Sequence, residues 1–407
     1  MLYLHQKGLI KMKKKIRKIV SIVIAISLFV CFSVTVCASS QKRYVVVTDF
    51  VEADCGYDVS AQLQQIIDDN PNRTIYFPDG EYLMSSPIYT PAEPTKSVSL
   101  ELSDYAVLKA TDDWTKGEAI IQLGGKDPAN DTWTNGSNYS LEGGIIDGNG
   151  IANGISINGG RETAVRNVSV KHTVTGLHIM PGANSGSSDA DIFGVNIIGT
   201  GNTDSVGILL EGFDNTITNV RIGNVFIGVY SKSSGNMLRN VHPLYTSDYT
   251  DYQNSCGFLD EAGNNWYDYC YSDQFATGFC TTSWGKNIYN DCFCFWYSSQ
   301  GETHTAFRTL EQFNSILTNF KVGFTGDCKN VVLKVGEHGG SGVIDNISIS
   351  GKTSEDMYAA YLELEITLVH VYCALGVLLV AFVAVAVVII IKNKRQRASK
   401  AVHSKTV

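Results

Sequence analysis

The sequence predicts an all-β fold, a parallel β-helix solenoid with a capping helix at its N-terminal end. Three observations predict it. A short motif, an Asn set in an alternating aliphatic run, returns between residues 140 and 350. It reads RNVSV at 166–170, TNVRI at 218–222, RNVHP at 239–243, TNFKV at 318–322 and DNISI at 345–349. Weaker copies are FGVNI at 193–197, YDYCY at 267–271 and YNDCF at 289–293. The key positions Asn167, Gly194, Asn219, Asn240, Asp268, Asn290, Asn319 and Asn346 stand 21 to 29 residues apart, a period that marks a solenoid. Second, a Gly-led run follows most copies: GISI at 154–157, GLHI at 176–179, GILL at 207–210, GVYS at 228–231, GFLD at 257–260 and GFCT at 278–281. Third, each run alternates with a period of two, which makes it a strand. No helical pattern intervenes, so consecutive copies stack strand on strand.

The chain of 407 residues has room for one large solenoid. Its 38 Gly and 8 Pro suit tight turns between short strands. The ends read differently. KMKKKIRK at 11–18 precedes an apolar run from Ile19 to Val36, and Val36 and Ala38 occupy the small-residue positions of a signal-peptidase site. Residues 1–38 are therefore expected to be a signal peptide, 39–350 the β-helix ectodomain and 351–368 a juxtamembrane stalk. Val369 to Ile391 is 23 residues without charge apart from His370. At 1.5 Å per residue it is long enough to cross a hydrocarbon layer of about 30 Å. It predicts a single C-terminal transmembrane helix, and the basic tail 392–407 beside it is expected to stay cytoplasmic. The expected location is the cell membrane, with one span and the ectodomain outside.

Charge divides along the same boundaries. Residues 39–368 hold all 40 Asp and Glu but only 19 of the 32 Lys and Arg, a net charge of −21. Such a field repels polyanions, so nucleic acid is excluded as a partner. An acidic polysaccharide needs a local basic patch or bridging cations. No cofactor is implied. Seven Cys fall in the ectodomain: Cys55, Cys256, Cys270, Cys280, Cys292, Cys294 and Cys328. An odd number argues against a complete disulfide framework. Cys270 and Cys292 are expected at one register in adjacent coils, with His242 one coil before them in the same row. A disulfide there and free stacked thiols both remain open. The spacing matches no zinc motif.

Residues 43–50 (RYVVVTDF) read as a first strand. Asp58 or Ser60 caps a short helix at 61–69, whose Leu63, Ile66 and Ile67 have helical spacing. Pro71 stops it. TIYFPDGEYLM at 74–84 is a strand, a turn and a strand, and SSPIYT continues it. An amphipathic helix before the first coil supplies the polar cap that an open solenoid end needs. The segment 49–88, DFVEADCGYDVSAQLQQIIDDNPNRTIYFPDGEYLMSSPI, resembles the entry motif of the pectate-lyase-like superfamily. With the repeats, the resemblance covers about 45–350. It implies that the β-helix is right-handed. It implies activity only loosely, because one fold hosts many functions.

Within each repeat, alternate residues point inward: in Asn219-Val220-Arg221-Ile222, Val220 and Ile222 face the core and Arg221 faces out. The Asn is expected at a corner, bonded to its neighbours along the axis. Two longer stretches, 242–255 with Tyr245, Asp248, Tyr249, Asp251 and Tyr252, and 297–305 with Glu302 and His304, are expected as loops over one side. Exposed Tyr249 and Tyr252 are candidate platforms for sugar rings.

The Gly-led strands carry the candidate site. If Ile155, Leu177, Ile208, Val229, Phe258, Phe279 and Phe307 point in, the outward column is Ser156, His178, Leu209, Tyr230, Leu259, Cys280 and Arg308. Two positions on stand Asn158, Met180, Glu211, Lys232, Glu261 and Thr282. Glu211, Lys232 and Glu261 then lie in successive coils. Neighbouring strands are about 4.8 Å apart, which places the two Glu backbones about 9.6 Å apart. Inverting glycosidases hold carboxylates roughly 6.5–9.5 Å apart to admit a water. Asn202-Thr203-Asp204 resembles the first acidic site of polygalacturonases in the same superfamily. That pattern then requires two Asp where Asn224 and Val225 stand, and a His where Cys256 stands, so the hydrolase pattern is missing at two of three positions. The expected catalytic residues are Glu211, Glu261 and Asp204. Lys232, Tyr230, His178, Arg308, Tyr249 and Tyr252 are expected to bind substrate, and no metal is expected. The expected function is action on extracellular polysaccharide as a glycoside hydrolase or lyase, with a noncatalytic glycan-binding adhesin as the alternative.

Overall fold

The computed structural model describes residues 44–126, 139–181, 189–246, 251–282, 285–297, 303–325, 330–335, 340–351 and 359–364, together with Val20 and Ile22. The chain divides at Val45 and Val46 into two compact units. In the first, Val20 and Ile22 are helical and exposed. The rest of the expected signal peptide, and the expected span 369–391 with its basic tail, lie outside the described residues. Among the described residues no helix is long and apolar enough to cross a membrane.

The second unit is a parallel β-helix. Its six Gly-led strands belong to one sheet of eleven described strands, from Ile88–Tyr89 to Ala359–Leu364, each paired in parallel with the next. The other strands form a second parallel sheet, bent along its length into two columns. The expected inward row is in register from rung to rung: Ile155 pairs with Leu177, Leu177 with Ile208, Ile208 with Val229, Val229 with Phe258, Phe258 with Phe279 and Phe279 with Phe307. All seven are buried.

Close stacking explains the Gly column. A Cβ on Gly207 would lie 2.5 Å from the Gly228 carbonyl, and one on Gly228 would lie 2.4 Å from that of Gly257. Any side chain there would push adjacent rungs apart. The column ends at Ala306, where the ladder shifts register between Thr305 and Phe307. The core becomes aromatic toward the C-terminal rungs. Phe258 and Phe279 stack at 4.5 Å, and Tyr267 and Tyr289 at 4.7 Å.

The Asn corners are single left-handed residues. Asn167, Gly194, Asn219, Asn240, Asn319 and Asn346 all have φ between 51° and 68°. Asn tolerates this conformation, and its amide reaches the next corner: Asn240 Nδ2 donates to Asn219 Oδ1 at 2.7 Å, and Asn346 Nδ2 to Asn319 Oδ1 at 2.6 Å. In two rungs the corner falls one residue later than expected. Tyr269 (φ 52°) and Asp291 (φ 52°) make the bend, while Asp268 and Asn290 end the preceding strands. These strands pair Arg239 with Asp268 and Asp268 with Asn290, which fixes the register.

A second Asn ladder, wholly buried, runs four residues before the corners. The Asn215 amide N–H donates to Asn236 Oδ1 at 3.1 Å, that of Asn236 to Asn265 Oδ1 at 2.9 Å, and that of Asn265 to Asn287 Oδ1 at 2.9 Å. The Asn287 N–H closes the series on Ser315 Oγ at 3.1 Å. This ladder, more than the exposed corner one, satisfies backbone donors that would otherwise be buried and unpaired.

The expected first strand is short: Val45–Val46, followed by a 3-10 turn over Val47–Asp49. The helix is Ser60–Asp69, with Leu63, Ile66 and Ile67 buried, and Asp58 Oδ1 accepts the Ser60 N–H. Two strands, Thr74–Phe77 and Gly80–Met84, follow as expected. The expected loop 242–255 begins later than expected, because the strand Met237–Leu244 runs into it. The expected loop 297–305 ends inside the strand Thr303–Thr309.

Cys270 and Cys292 stand one rung apart and are buried thiols. His242 is not in their row. Its ring stacks on Tyr271 at 4.1 Å, one residue beyond Cys270. Among the described residues no group of three or more His, Cys, Asp or Glu is placed to hold a metal ion.

Candidate functional site

The outward column of the Gly-led sheet is in the register read from sequence. Ser156 pairs with His178, His178 with Leu209, Leu209 with Tyr230, Tyr230 with Leu259, Leu259 with Cys280 and Cys280 with Arg308. Glu211, Lys232 and Glu261 each follow directly on three successive strands, Val206–Leu210, Ile227–Ser231 and Cys256–Asp260. Strand pairing thus converts residues dozens of positions apart into neighbours about 4.8 Å apart.

His178 Nε2 donates to Glu211 Oε2 at 2.7 Å, and Lys232 Nζ lies 3.6 Å from Glu211 Oε1. Lys232 Nζ also sits over the Tyr230 ring, 4.7 Å from its centre, a cation–π arrangement. Glu261 interacts with the Tyr230 hydroxyl from the next rung. Five side chains from four rungs form one connected set: His178, Glu211, Lys232, Tyr230 and Glu261. The His178 and Glu211 side chains keep 17% and 24% of their surface exposed, so the set is half-buried and open to solvent.

Burial lowers the His178 pKa, and Lys232 adds to this, while Glu211 opposes it. The ring is therefore neutral at pH 7. A neutral imidazole facing a carboxylate must carry its hydrogen on Nε2, which fixes the tautomer. Burial, and then the Glu261 carboxylate, raise the Tyr230 pKa, so its phenol keeps its proton. Burial pushes the Cys280 thiol up to about 11 despite the opposing Arg308 charge, so it is not a nucleophile at neutral pH. The Glu211–Lys232 pair is partly exposed and contributes at most about 1 kcal/mol to stability.

Asp204 does not join this set. It is exposed in the turn before Val206–Leu210, whereas Glu211 follows the other end of that strand, roughly 20 Å away along the chain. Val225 is in the core and Cys256 is buried. The positions where the polygalacturonase pattern needs acids and a His thus lack the residue types, and Val225 and Cys256 lack the exposure as well. Tyr252 is buried; its OH donates to the Gln274 carbonyl at 2.9 Å and packs by His304, so it is not a solvent-facing platform. Tyr249 lies outside the described residues. Arg308 is exposed two rungs beyond Glu261.

Sequence reading missed Asp260, the inward neighbour of Glu261. It is buried and accepts four hydrogen bonds: from the Ala262 N–H (3.0 Å), the Gly263 N–H (2.7 Å), Asn265 Nδ2 (2.9 Å) and the Tyr267 OH (2.6 Å). This network fixes the turn that presents Glu261. The only signal for it in the sequence was an acid at an inward position of the alternation.

No family model matches the sequence, and no curated protein matches it. Solved structures do match. An endo-xylogalacturonan hydrolase from Aspergillus tubingensis aligns over 79% of this chain and 99% of its own, with a TM-score of 0.56 and 13% identity. The A-module of a mannuronan C-5 epimerase, AlgE6 of Azotobacter vinelandii, aligns over 79% and 96%, with a TM-score of 0.53 and 13% identity. A tailspike mutant of E. coli bacteriophage HK620, in complex with a pentasaccharide, aligns over 78% of this chain and 64% of its own, with a TM-score of 0.54 and 11% identity. At these identities the likeness is one of fold. The chain therefore has the fold of the right-handed parallel β-helix proteins, as the entry motif at 49–88 implied.

Proposed function

We propose that this chain is a membrane-anchored extracellular protein that cleaves glycosidic bonds of a polysaccharide between Glu211 and Glu261. The observation that carries the reading is the connected set of five polar side chains on the outward face of one sheet. Glu211, with Lys232 at 3.6 Å, takes the role of general base for water. Glu261, two rungs away and exposed, takes that of general acid toward the leaving oxygen. A separation of about 9.6 Å between their backbones suits inversion, in which a water stands between base and sugar. That two β-helix neighbours are named for polysaccharides they act on, and a third is held in complex with a pentasaccharide, supports a glycan as ligand.

The test is a reducing-sugar and unsaturated-product assay over a polysaccharide panel, with Glu211→Gln and Glu261→Gln alongside wild type. Each variant is expected to lose about 100-fold or more in kcat while still binding. Absence of turnover by wild type on every polymer, with binding retained, refutes cleavage. It favours the second reading, a noncatalytic glycan-binding surface protein. One observation supports that reading: both Glu211 oxygens are already engaged, one by His178 and one by Lys232. The anchor rests on the apolar run Val369 to Ile391 and its basic flank. Membrane fractionation of the full chain and of a chain ending at residue 368 tests it; equal release of both into the soluble fraction refutes anchoring.

A further inference from the structure

We propose that the outer face of the second sheet, over its C-terminal rungs, docks a second copy of this chain. The two solenoids lie side by side about a two-fold axis parallel to their length. This surface is on a different sheet from the Glu211–Glu261 face and does not depend on what that face binds.

Strand pairing aligns one outward row on the second sheet. In its N-terminal half the row is polar or small: Thr74, Ser99, Ser140, Ala164, Asp191 and Thr216 pair in succession. The row then changes abruptly. Thr216 pairs with Met237, Met237 with Trp266, Trp266 with Ile288, Ile288 with Ile316 and Ile316 with Val343. Met237, Trp266, Ile316 and Val343 are 38% to 50% exposed. The alternate residues Leu238, Tyr267, Tyr289 and Leu317 are buried, so the core is already filled from the inner side. The N-terminal rungs build the same sheet without an apolar outer row, so the fold itself does not require one. Five large apolar side chains one rung apart form a stripe about 19 Å between its end residues. A contiguous exposed apolar stripe marks a docking surface.

The edges of the stripe fit a second copy. Two residues before its members stand Gly235, Asn264, Lys286, Asn314 and Ser341. Two residues after them stand Arg239, Asp268, Asn290, Thr318 and Asp345. A two-fold axis along the stripe lays the first edge of one copy on the second edge of the other, rung by rung. Lys286 of one copy then faces Asn290 of the other. The Asn290 amide gathers two carboxylates, donating to Asp268 Oδ1 at 3.0 Å and to Asp291 Oδ2 at 2.9 Å. Arg239, 3.4 Å from Asp268, offsets one of them and leaves one negative charge for an incoming cation. Lys286 is exposed, and among the described residues the lysine ion pairs are those of Lys96, Lys109 and Lys232. The other four rungs bring no like charges together. This pairing also puts both C-terminal ends at the same end of the dimer, as two anchors in one bilayer need. A face about 24 Å by about 17 Å buries on the order of 800 Å² over two copies, which makes the dimer weak and reversible.

Facing sheets stand about 10 Å apart, too far for a disulfide, so a bis-maleimide linker of about that span is the probe. Met237→Cys, Ile288→Cys and Val343→Cys are made singly in the full chain, with Tyr105→Cys, at a 73% exposed position, as control. Each is treated in phosphatidylcholine liposomes and, at high concentration, without lipid, and dimers are counted above the wild-type background. Each stripe Cys is expected to link to its own counterpart at least about fivefold more than Tyr105→Cys does. Adding Lys286→Glu to Ile288→Cys is expected to lower the yield about tenfold, and adding Lys286→Arg to leave it unchanged. Unchanged unfolding midpoints show that these chains are folded. Linkage of Met237→Cys to Val343→Cys but not to itself makes the pair antiparallel and overturns the proposed axis. Linkage no greater than in the control overturns the dimer. If a fluorophore on Ile288→Cys is then quenched by brominated lipid, the stripe faces a bilayer.

Discussion

Asp260→Ala is the substitution whose cost is best defined by the structure. The Asp260 carboxylate is buried and takes four donors at 2.6 to 3.0 Å. Removing it leaves the Gly263 N–H and one Asn265 Nδ2 hydrogen without acceptors. The Tyr267 hydroxyl has an alternative, Ser231 Oγ at 3.1 Å, so it is not orphaned. The Ala262 N–H is only partly buried and finds water. Two buried unpaired donors cost about 1–2 kcal/mol each, giving about 3 kcal/mol in all. Asp260→Asn keeps one carbonyl oxygen for the two backbone donors but turns an NH2 toward Asn265 and Tyr267. It is expected to cost about 1–2 kcal/mol, less than Ala. Solenoids unfold rung by rung, so the assay must be local as well as global. Hydrogen exchange at the Gly263 amide is expected to rise ~100-fold in Asp260→Ala, with a lower denaturation midpoint. If exchange rises less than about threefold and the midpoint is unchanged, the carboxylate does not hold this turn, and its link to Glu261 is broken. Equal effects of Ala and Asn would show that charge, and not the acceptor geometry, is what matters.

Three further outcomes follow from the same geometry. Asn236→Ala removes the acceptor for the Asn215 N–H and two interior side-chain bonds; it is expected to cost about 2–4 kcal/mol by denaturation, and a loss under about 0.5 would contradict the buried ladder. At Gly194, φ is +68° and a Cβ would lie 2.7 Å from Asn167 Oδ1, so Gly194→Asn is expected to be nearly neutral, as Asn at the equivalent corners is, while Gly194→Val loses about 1–3 kcal/mol; equal stability of the two would refute the left-handed corner. The His178 pKa is lowered on folding, so the unfolded chain takes up its proton first and stability is expected to fall as pH drops below 6.5 toward the folded value. His178→Gln should flatten that part of the pH–stability curve, and an unchanged slope would assign the effect elsewhere.

How much was legible depends on how strictly each position is constrained. The Gly-led face was read correctly because its constraint is steric and unforgiving. Gly recurs wherever a Cβ would strike the next carbonyl, and once that column is aligned the inward and outward rows follow by alternation. His178, Glu211, Tyr230, Lys232 and Glu261 could therefore be placed on one face from sequence, though not their bonds. The corners were less legible. Left-handed backbone is favoured by Asn but tolerated by other residues, so Tyr269 and Asp291 could take the bend while the more suggestive Asp268 and Asn290 stood one residue away. The buried ladder went unread although its signal was present: Asn215, Asn236, Asn265 and Asn287 each stand four residues before a corner. The outer face of the strands is a further departure. Met237, Trp266, Ile316 and Val343 pair in succession through Ile288, and these four are 38% to 50% exposed where alternation calls for polar residues.

The same geometry explains why the connected side chains lie on the Gly-led sheet. Gly at the second position of six successive strands lets the opposite wall approach: Ile197 reaches within 2.5 Å of where a Cβ of Gly176 would be, and Ile222 does the same at Gly207. That wall holds the strands straight and in register across six consecutive pairings, without the left-handed bends that interrupt the other sheet. Outward side chains on such strands inherit a fixed spacing of about 4.8 Å. A site built from several rungs needs that regularity, because its members are joined by no local turn. The corner columns bend at every rung, and their outward residues form stacks such as His242 on Tyr271, with ring centres 4.1 Å apart. If substitutions at Gly207 or Gly228 abolished glycan binding while Asn219→Ala and Asn240→Ala left it intact, the register of the Gly-led sheet would be the determinant. Equal losses from both sets would instead make the site a property of global stability.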